Sequence, residues 1–270
     1  MLNDAWDNAI TAYLVDQKSG GKPATTTNAR RQHMEHLARR VAAPSPWALT
    51  LAELREYTSQ QEWAQETRRG RRNTFKSFWA WAIREGLATE NVGDQLPMVR
   101  VAPAHARPAP DRVYHEALMM ASPRDGLMLR LAAEVGMRRA EVAQGHSDDV
   151  FEDLVGYSIL VHGKGGRKRT LPLPNSLGRA LVHLEPGYFF PGNDHGHLSP
   201  RYVGKIVADL LPDGWTMHTL RHRFATRAYA LRSDLLLVQE MLGHASPTTT
   251  RRYVEYDRAR MRAVVEELAS

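Results

Sequence analysis

Residues 100–112, RVAPAHARPAPDR, place prolines at 103, 108 and 110 among alanines. Proline fixes φ and has no amide donor, so neither a helix interior nor a central strand runs through such a segment. A chain of 270 residues exceeds the usual span of one core, and this segment is where it is expected to divide. The reading is a first domain over residues 1–99, a linker over 100–112 and a second domain over 113–270. With 43% apolar and 24% charged residues, both parts have the means to build cores, which excludes a disordered or collagen-like chain.

The first hundred residues read as helices throughout. Leu2, Trp6, Ile10 and Tyr13 recur at helical spacing, and Met34, Leu37 and Val41 mark one face of a second segment from Thr26 to Val41. Thr50 followed three residues later by Glu53 is a capping-box pattern that opens a third helix. A fourth is expected from Asn73 to Glu85, with Phe75, Phe78, Trp79 and Ile83 as an aromatic-rich face. At the join of the third and fourth helices, Arg68, Arg69, Arg71, Arg72 and Lys76 crowd five positive charges into nine residues. Beside a helix start, such a group suits phosphate, although basic runs are most often solvated surface.

The second half is mixed. Helical stretches cover Tyr114 to Ala121 and Arg124 to Val135, and a short one begins near Arg138. Two β-rich runs, Tyr157 to Val161 and Arg169 to Leu173, flank the tip GKGG and predict a hairpin, with Val150 to Leu154 as a third strand. Beyond Ser199 the pattern is helical again, broken at Pro212 to Gly214 and at Pro247. The fold class expected is α+β and mainly helical: an all-helical first domain, then a mixed domain with a small antiparallel sheet.

Charge and composition narrow the function. The net charge is +6 and the sequence pI about 9.7, which favours a polyanionic partner. Thirty of the 36 basic residues are arginines, whose planar forks match phosphate, although codon bias in a GC-rich genome produces the same excess. The absence of cysteine excludes disulfides, thiolate zinc sites, iron–sulfur clusters and cysteine nucleophiles. No segment approaches the ~18 apolar residues of a membrane span, and the start MLNDAWDNAI lacks the pattern of a signal peptide. The expectation is a cytoplasmic protein with no membrane partner.

Several chemistries fail on spacing. Gly163, Lys164 and Gly165 do not complete a Walker A loop, and Thr219 stands between His218 and His222 where a zinc peptidase needs glutamate. No G-x-S-x-G elbow is present. What remains is a set of signals in order: GMRRAEV at 136–142, HGKGGRKR at 162–169, HTLRHRFAT at 218–226 and LGHASPTTTRRY at 242–253. His218 and Arg221 lie three apart, which on a helix turns both to one side.

With this ordered set, and with nine residues from His244 to Tyr253, the chain resembles the tyrosine recombinases, site-specific DNA recombinases that include phage integrases and chromosome-dimer resolvases. The resemblance covers the second half; the first half is similar only in kind, as a helical core-binding domain with a basic edge formed by Arg68, Arg69, Arg71, Arg72 and Lys76. It implies Tyr253 as nucleophile, Arg138 and Arg221 as the phosphate clamp, His218 and His244 as hydrogen-bonding members and Lys164 as general acid. Glu141 is implied as the support of Arg138, and Tyr256, twelve residues from His244, as a poorer nucleophile. It further implies no metal and no cofactor, double-stranded DNA attachment sites as partners, a tetramer in the synaptic complex and a possible directionality factor. The expected protein is a small phage-type integrase without an arm-binding domain, acting on DNA in the bacterial host cytoplasm. A chromosome-dimer or plasmid resolvase is the alternative within the family, and a type IB topoisomerase or a non-catalytic DNA-binding regulator the alternatives beyond it. Met261, Val264, Val265 and Leu268 predict an apolar stripe on a C-terminal helix; periodicity alone has it pack on its own domain, whereas the resemblance implies that it passes to a neighbouring protomer.

Overall fold

The computed structural model describes residues 2–100 and 107–243. The chain divides into two compact units, Met1–Pro103 and Ala104–Ser270.

The first unit is helical: α1 (Asp4–Ser19), α2 (Ala24–Ala38), α3 (Leu51–Ser59) and α4 (Gln65–Arg84). The Asn3 side chain caps α1, and Thr50 with Glu53 closes the expected capping box on α3, so orphan amides at both starts find acceptors. The core gathers Trp6, Ile10 and Tyr13 of α1, Met34 and Leu37 of α2, Leu54 of α3 and Phe75, Phe78 and Trp79 of α4. The indole N–H of Trp6 donates to the Ala43 carbonyl at 2.9 Å, which makes burial of that ring tolerable.

Two expectations about α4 are corrected. The helix starts at Gln65, eight residues before the expected Asn73, because nothing in ETRRGRR stops a helix and Gly70 sits inside it. The basic run therefore lies within α4 and does not join two helices. Ile83 is 40% exposed, and the buried stripe Phe75, Phe78, Trp79 is completed by Ala82, the i+7 position. The second helix stops at Ala38, short of Val41.

The second unit contains α5 (Asp111–Met120), α6 (Pro123–Ala133) and α7 (Arg139–Ala143), followed by β1 (Val150–Asp153), β2 (Gly156–His162) and β3 (Lys168–Leu173). Then come α8 (Asn175–Val182), α9 (Pro200–Asp209), α10 (Met217–Arg232) and α11 (Leu235–Leu242). The first helix begins inside the expected linker, at Asp111. Ser122 and Ser199 cap α6 and α9, each with proline at the first helical position.

The antiparallel sheet runs β1-β2-β3, and its central pairing sets Tyr157 against Leu173 and Val161 against Arg169. Ile159 and Val161 of β2 and Leu171 and Leu173 of β3 enter the core, where α6, Val203, Val207 and Leu220 meet them. Three features escaped the sequence reading: α8, a short strand β4 (Pro191–Asp194) and a break after α10. Helix α8 follows β3 in the chain and packs against β1 and β2, and the break at Ser233, in the left-handed region at φ 57°, separates α10 from α11. Among the described residues no helix is long and apolar enough to cross a membrane.

Candidate active site around Glu141

Glu141 is the centre of the site. It lies in α7, 5% exposed, and its carboxylate accepts four hydrogen bonds. The Arg138 backbone N–H reaches Oε2 at 2.7 Å and Arg138 Nη1 reaches Oε1 at 2.8 Å. From β3, Arg169 supplies the other two, Nη1 to Oε1 at 2.9 Å and Nη2 to Oε2 at 2.8 Å. A third arginine, Arg221 of α10, stands with Nη1 3.9 Å from Oε2. Burial alone would raise this carboxyl; the Arg169 hydrogen bonds, the Arg138 N–H, the Arg169 charge and the Arg138 side-chain hydrogen bond outweigh it and hold the group at about 2.

The three guanidiniums face a second target. Arg169 Nε donates to the Met241 carbonyl at 3.1 Å, Arg221 Nη2 to Leu242 at 2.6 Å and Arg138 Nη2 to Gly243 at 3.1 Å. These are three consecutive carbonyls at the C-terminal end of α11, where unpaired acceptors and the helix dipole favour cations. Arg221 Nη1 also donates to the Gly136 carbonyl. Gly136 carries φ 73°, and a Cβ there would stand 2.4 Å from the Phe224 ring, so the turn that delivers Arg138 requires glycine. Gly243 ends α11 at φ 60°, against the Arg169 side chain.

Burial separates the arginines. Arg221 is 3% exposed, while the Arg138 side chain keeps 36% of its surface and opens on a cavity of about 800 Å³. Arg167, Lys168 and Arg169 line that cavity from the hairpin, and Gln239 and Gly243 from α11. The hairpin tip Lys164–Gly166 borders it, with Gly165 and Gly166 in the left-handed region, so the main chain of Lys164 sits at its rim.

Of the expected residues, the fold brings Arg138, Glu141 and Arg221 together. Arg138 is the N-cap of α7, outside the helix proper, and for that reason its own amide is free to meet Glu141. His218 lies one turn before Arg221 in α10, exposed, its ring 4.1 Å from that of His222. His222 is buried, and its Nδ1 accepts from the Arg107 N–H at 3.1 Å. His244, Tyr253, Tyr256 and the stripe Met261 to Leu268 lie outside the described residues. Arg169 was missed as a site residue. Its signal was its place on β3, because position 169 shares a face with Leu171 and Leu173, and an arginine on the inward face of an alternating strand needs an internal anion.

The basic run of α4 behaves otherwise. Arg68 donates to the Thr58 and Gln61 carbonyls at 2.9 and 2.7 Å, and Arg72 to Leu96 at 3.0 and 2.9 Å and to Asp94 at 3.0 Å. Arg71 lies over the Trp63 ring at 4.3 Å. Arg69 pairs with Glu66 at 2.8 Å and Lys76 with Asp94 at 2.7 Å, both on the surface. Three of the five cations thus face inward, because helical periodicity turns 68, 71 and 72 toward the core side of α4.

The model of the phage integrase family matches residues 111–260. A tyrosine recombinase XerC of Methylobacterium nodulans is 31% identical over 86% of this chain and 81% of its own length. One from Methylobacterium sp. is 36% identical over 52% of this chain and 46% of that protein, so the alignment spans about half of it. A solved structure of a lambda integrase dimer bound to a COC′ core site has a TM-score of 0.74 at 20% identity, covering 96% of this chain and 98% of that one, and shows the shared fold. The chain belongs to the phage integrase family. Its class is the tyrosine recombinases, and it is a site-specific recombinase.

Proposed function

We propose that the protein is an integrase-type recombinase that cleaves and rejoins duplex DNA at attachment sites. The observation that carries this reading is the convergence of Arg138 and Arg221 on one buried carboxylate, with both guanidiniums on the main chain that leads directly into His244. Two forks held by one buried carboxylate are ready to neutralise the non-bridging oxygens of a phosphate as it becomes pentavalent.

In this mechanism the Tyr253 oxygen attacks the phosphorus, the bond to the 5′-oxygen breaks, and a 3′-phosphotyrosine forms. His218, exposed at the start of α10, accepts the phenolic proton, and His244 hydrogen-bonds the phosphate. Lys164 on the glycine-flanked tip protonates the leaving 5′-oxygen. The reverse attack by a partner strand's 5′-hydroxyl rejoins the DNA, since the phosphotyrosine conserves the bond energy. No metal or cofactor enters a step. By family resemblance, four protomers act on two sites, with a directionality factor setting the outcome, in the host cytoplasm.

For the first unit, Met1–Pro103, we propose duplex contact through phosphates. Arg69 and Lys76 are the members of the basic run whose side chains stay about half exposed, and they are its contact points. Arg68, Arg71 and Arg72 shape the surface from beneath.

The test is Tyr253→Phe on a nicked suicide substrate. The expected outcome is loss of the covalent complex with duplex binding nearly unchanged, while Tyr256→Phe retains cleavage. Absence of any covalent complex from the wild-type protein would instead point to a non-catalytic DNA-binding regulator. The name XerC borne by the aligned relatives favours a second reading, a chromosome-dimer or plasmid resolvase. Recombination between two copies of one site, with none between unlike attachment sites, would establish that reading over the first.

A further inference from the structure

The structure assigns Arg169 as a positioning residue that ties the hairpin, the Arg138 turn and the end of α11 into one unit. This inference rests on the recombinase reading of the same site. The three arginines around Glu141 are not equivalent. Arg169 commits Nε, Nη1 and Nη2 all to protein acceptors, two on Glu141 and one on Met241, and its side chain is 12% exposed. Arg138, by contrast, keeps a third of its surface and meets the main chain of α11 through one nitrogen.

The connectivity gives that difference a consequence. Arg169 stands on β3 two residues beyond Arg167, whose carbonyl accepts from the Gly163 N–H at 2.6 Å and closes the tip that carries Lys164. Glu141 holds Arg138 by two hydrogen bonds, and Met241 lies two residues before the last described residue, Gly243, after which come His244 and Tyr253. One planar fork therefore joins the three segments that the mechanism must align. It does so without using Arg138 or Arg221, which leaves those two able to move from carbonyl oxygens to a phosphate. An ammonium could keep the charge but could not serve both carboxylate oxygens and the Met241 carbonyl together.

The groups facing the Glu141 carboxylate are Arg138 at the start of its own helix, Arg169 from β3 and Arg221 from α10. Without Arg169, half of its acceptor positions empty in a buried place, and the carboxyl moves up toward the ordinary range.

The test compares the wild type with Arg169→Gln and Arg169→Lys in three measurements: hydrogen exchange, half-site binding, and single-turnover covalent-complex formation at saturating DNA from pH 4 to 8. For Arg169→Gln the expected result is half-site affinity within about threefold of wild type and exchange at least tenfold faster over 239–243, with protection in α6 kept. Covalent-complex formation is expected to slow at least fiftyfold, with an acid limb that the wild type lacks. Arg169→Lys should lose the acid limb, recover part of the rate and keep the fast exchange. Cleavage by Arg169→Gln within threefold of wild type, a defect confined to affinity, or exchange unchanged over 239–243 would each overturn the assignment. Loss of protection throughout the second unit in both variants would also overturn it, leaving Arg169 a general stability residue. If the wild type itself forms no covalent complex, the recombinase reading fails, and the exchange data still decide whether Arg169 anchors α11.

Discussion

Two arginine sets in this protein differ in an instructive way. The run in α4 is dense in sequence, yet its members disperse in space: Arg68 and Arg72 go to separate loop carbonyls, Arg71 to Trp63 and Arg69 to a surface glutamate. Arg138, Arg169 and Arg221 are scattered along the chain, yet they meet at one carboxylate and on three successive carbonyls. Local charge density measures how strongly a segment attracts anions from solution. Convergence on a buried anion measures how rigidly cations are held in place, which is what a transition state requires.

The largest expected effect falls on the convergent set. Glu141→Ala leaves three guanidiniums with no anion and is expected to lower the stability of the second unit by roughly 3–5 kcal/mol, with loss of cleavage. Denaturant unfolding would measure it, and a loss below about 1 kcal/mol would show that the cluster is not mutually dependent.

Acid should reveal the same carboxylate. Its folded pKa, about 2, lies below the ordinary value of 4.5, so its contribution is fully present above pH 4.5 and is lost as the pH falls toward 2. The expected loss over that window is about 3 kcal/mol. Glu141→Gln should flatten that part of the stability curve, and parallel curves for variant and wild type would break the comparison.

In the dispersed set the effects are smaller and separate. Arg72→Gln removes three hydrogen bonds to the Leu96 and Asp94 carbonyls and should cost the first unit about 1–2 kcal/mol while leaving the second unit's melting unchanged. Smallest is Arg69→Gln, which breaks an exposed pair and should change stability by less than about 0.5 kcal/mol. If Arg69 meets a DNA phosphate, its loss should also reduce the salt slope of binding by about one. An unchanged slope would return Arg69 to solvated surface.

Most elements were legible because their causes are local. The Thr50 and Glu53 box, the stripe of Trp6, Ile10 and Tyr13, and the alternation flanking GKGG each carry their signal within a few residues, and the hairpin pairs the very runs expected. Helix α8 and the break at Ser233 were not legible. The first is too short for a clear period, and the second depends on a left-handed serine with no glycine to mark it.

The sequence alone therefore determined two units, a mainly helical α+β fold and an ordered set of residues that resembles one family, since these follow from propensity, period and order along the chain. Only the tertiary structure decided which cations form a site. Arg169 reaches Glu141 across 28 residues and Met241 across 72, while Arg68 and Arg72 turn inward to loops whose carbonyls no local pattern announces. A guanidinium's role is set by the acceptors that folding places within about 3 Å of it, and chain order does not encode that distance.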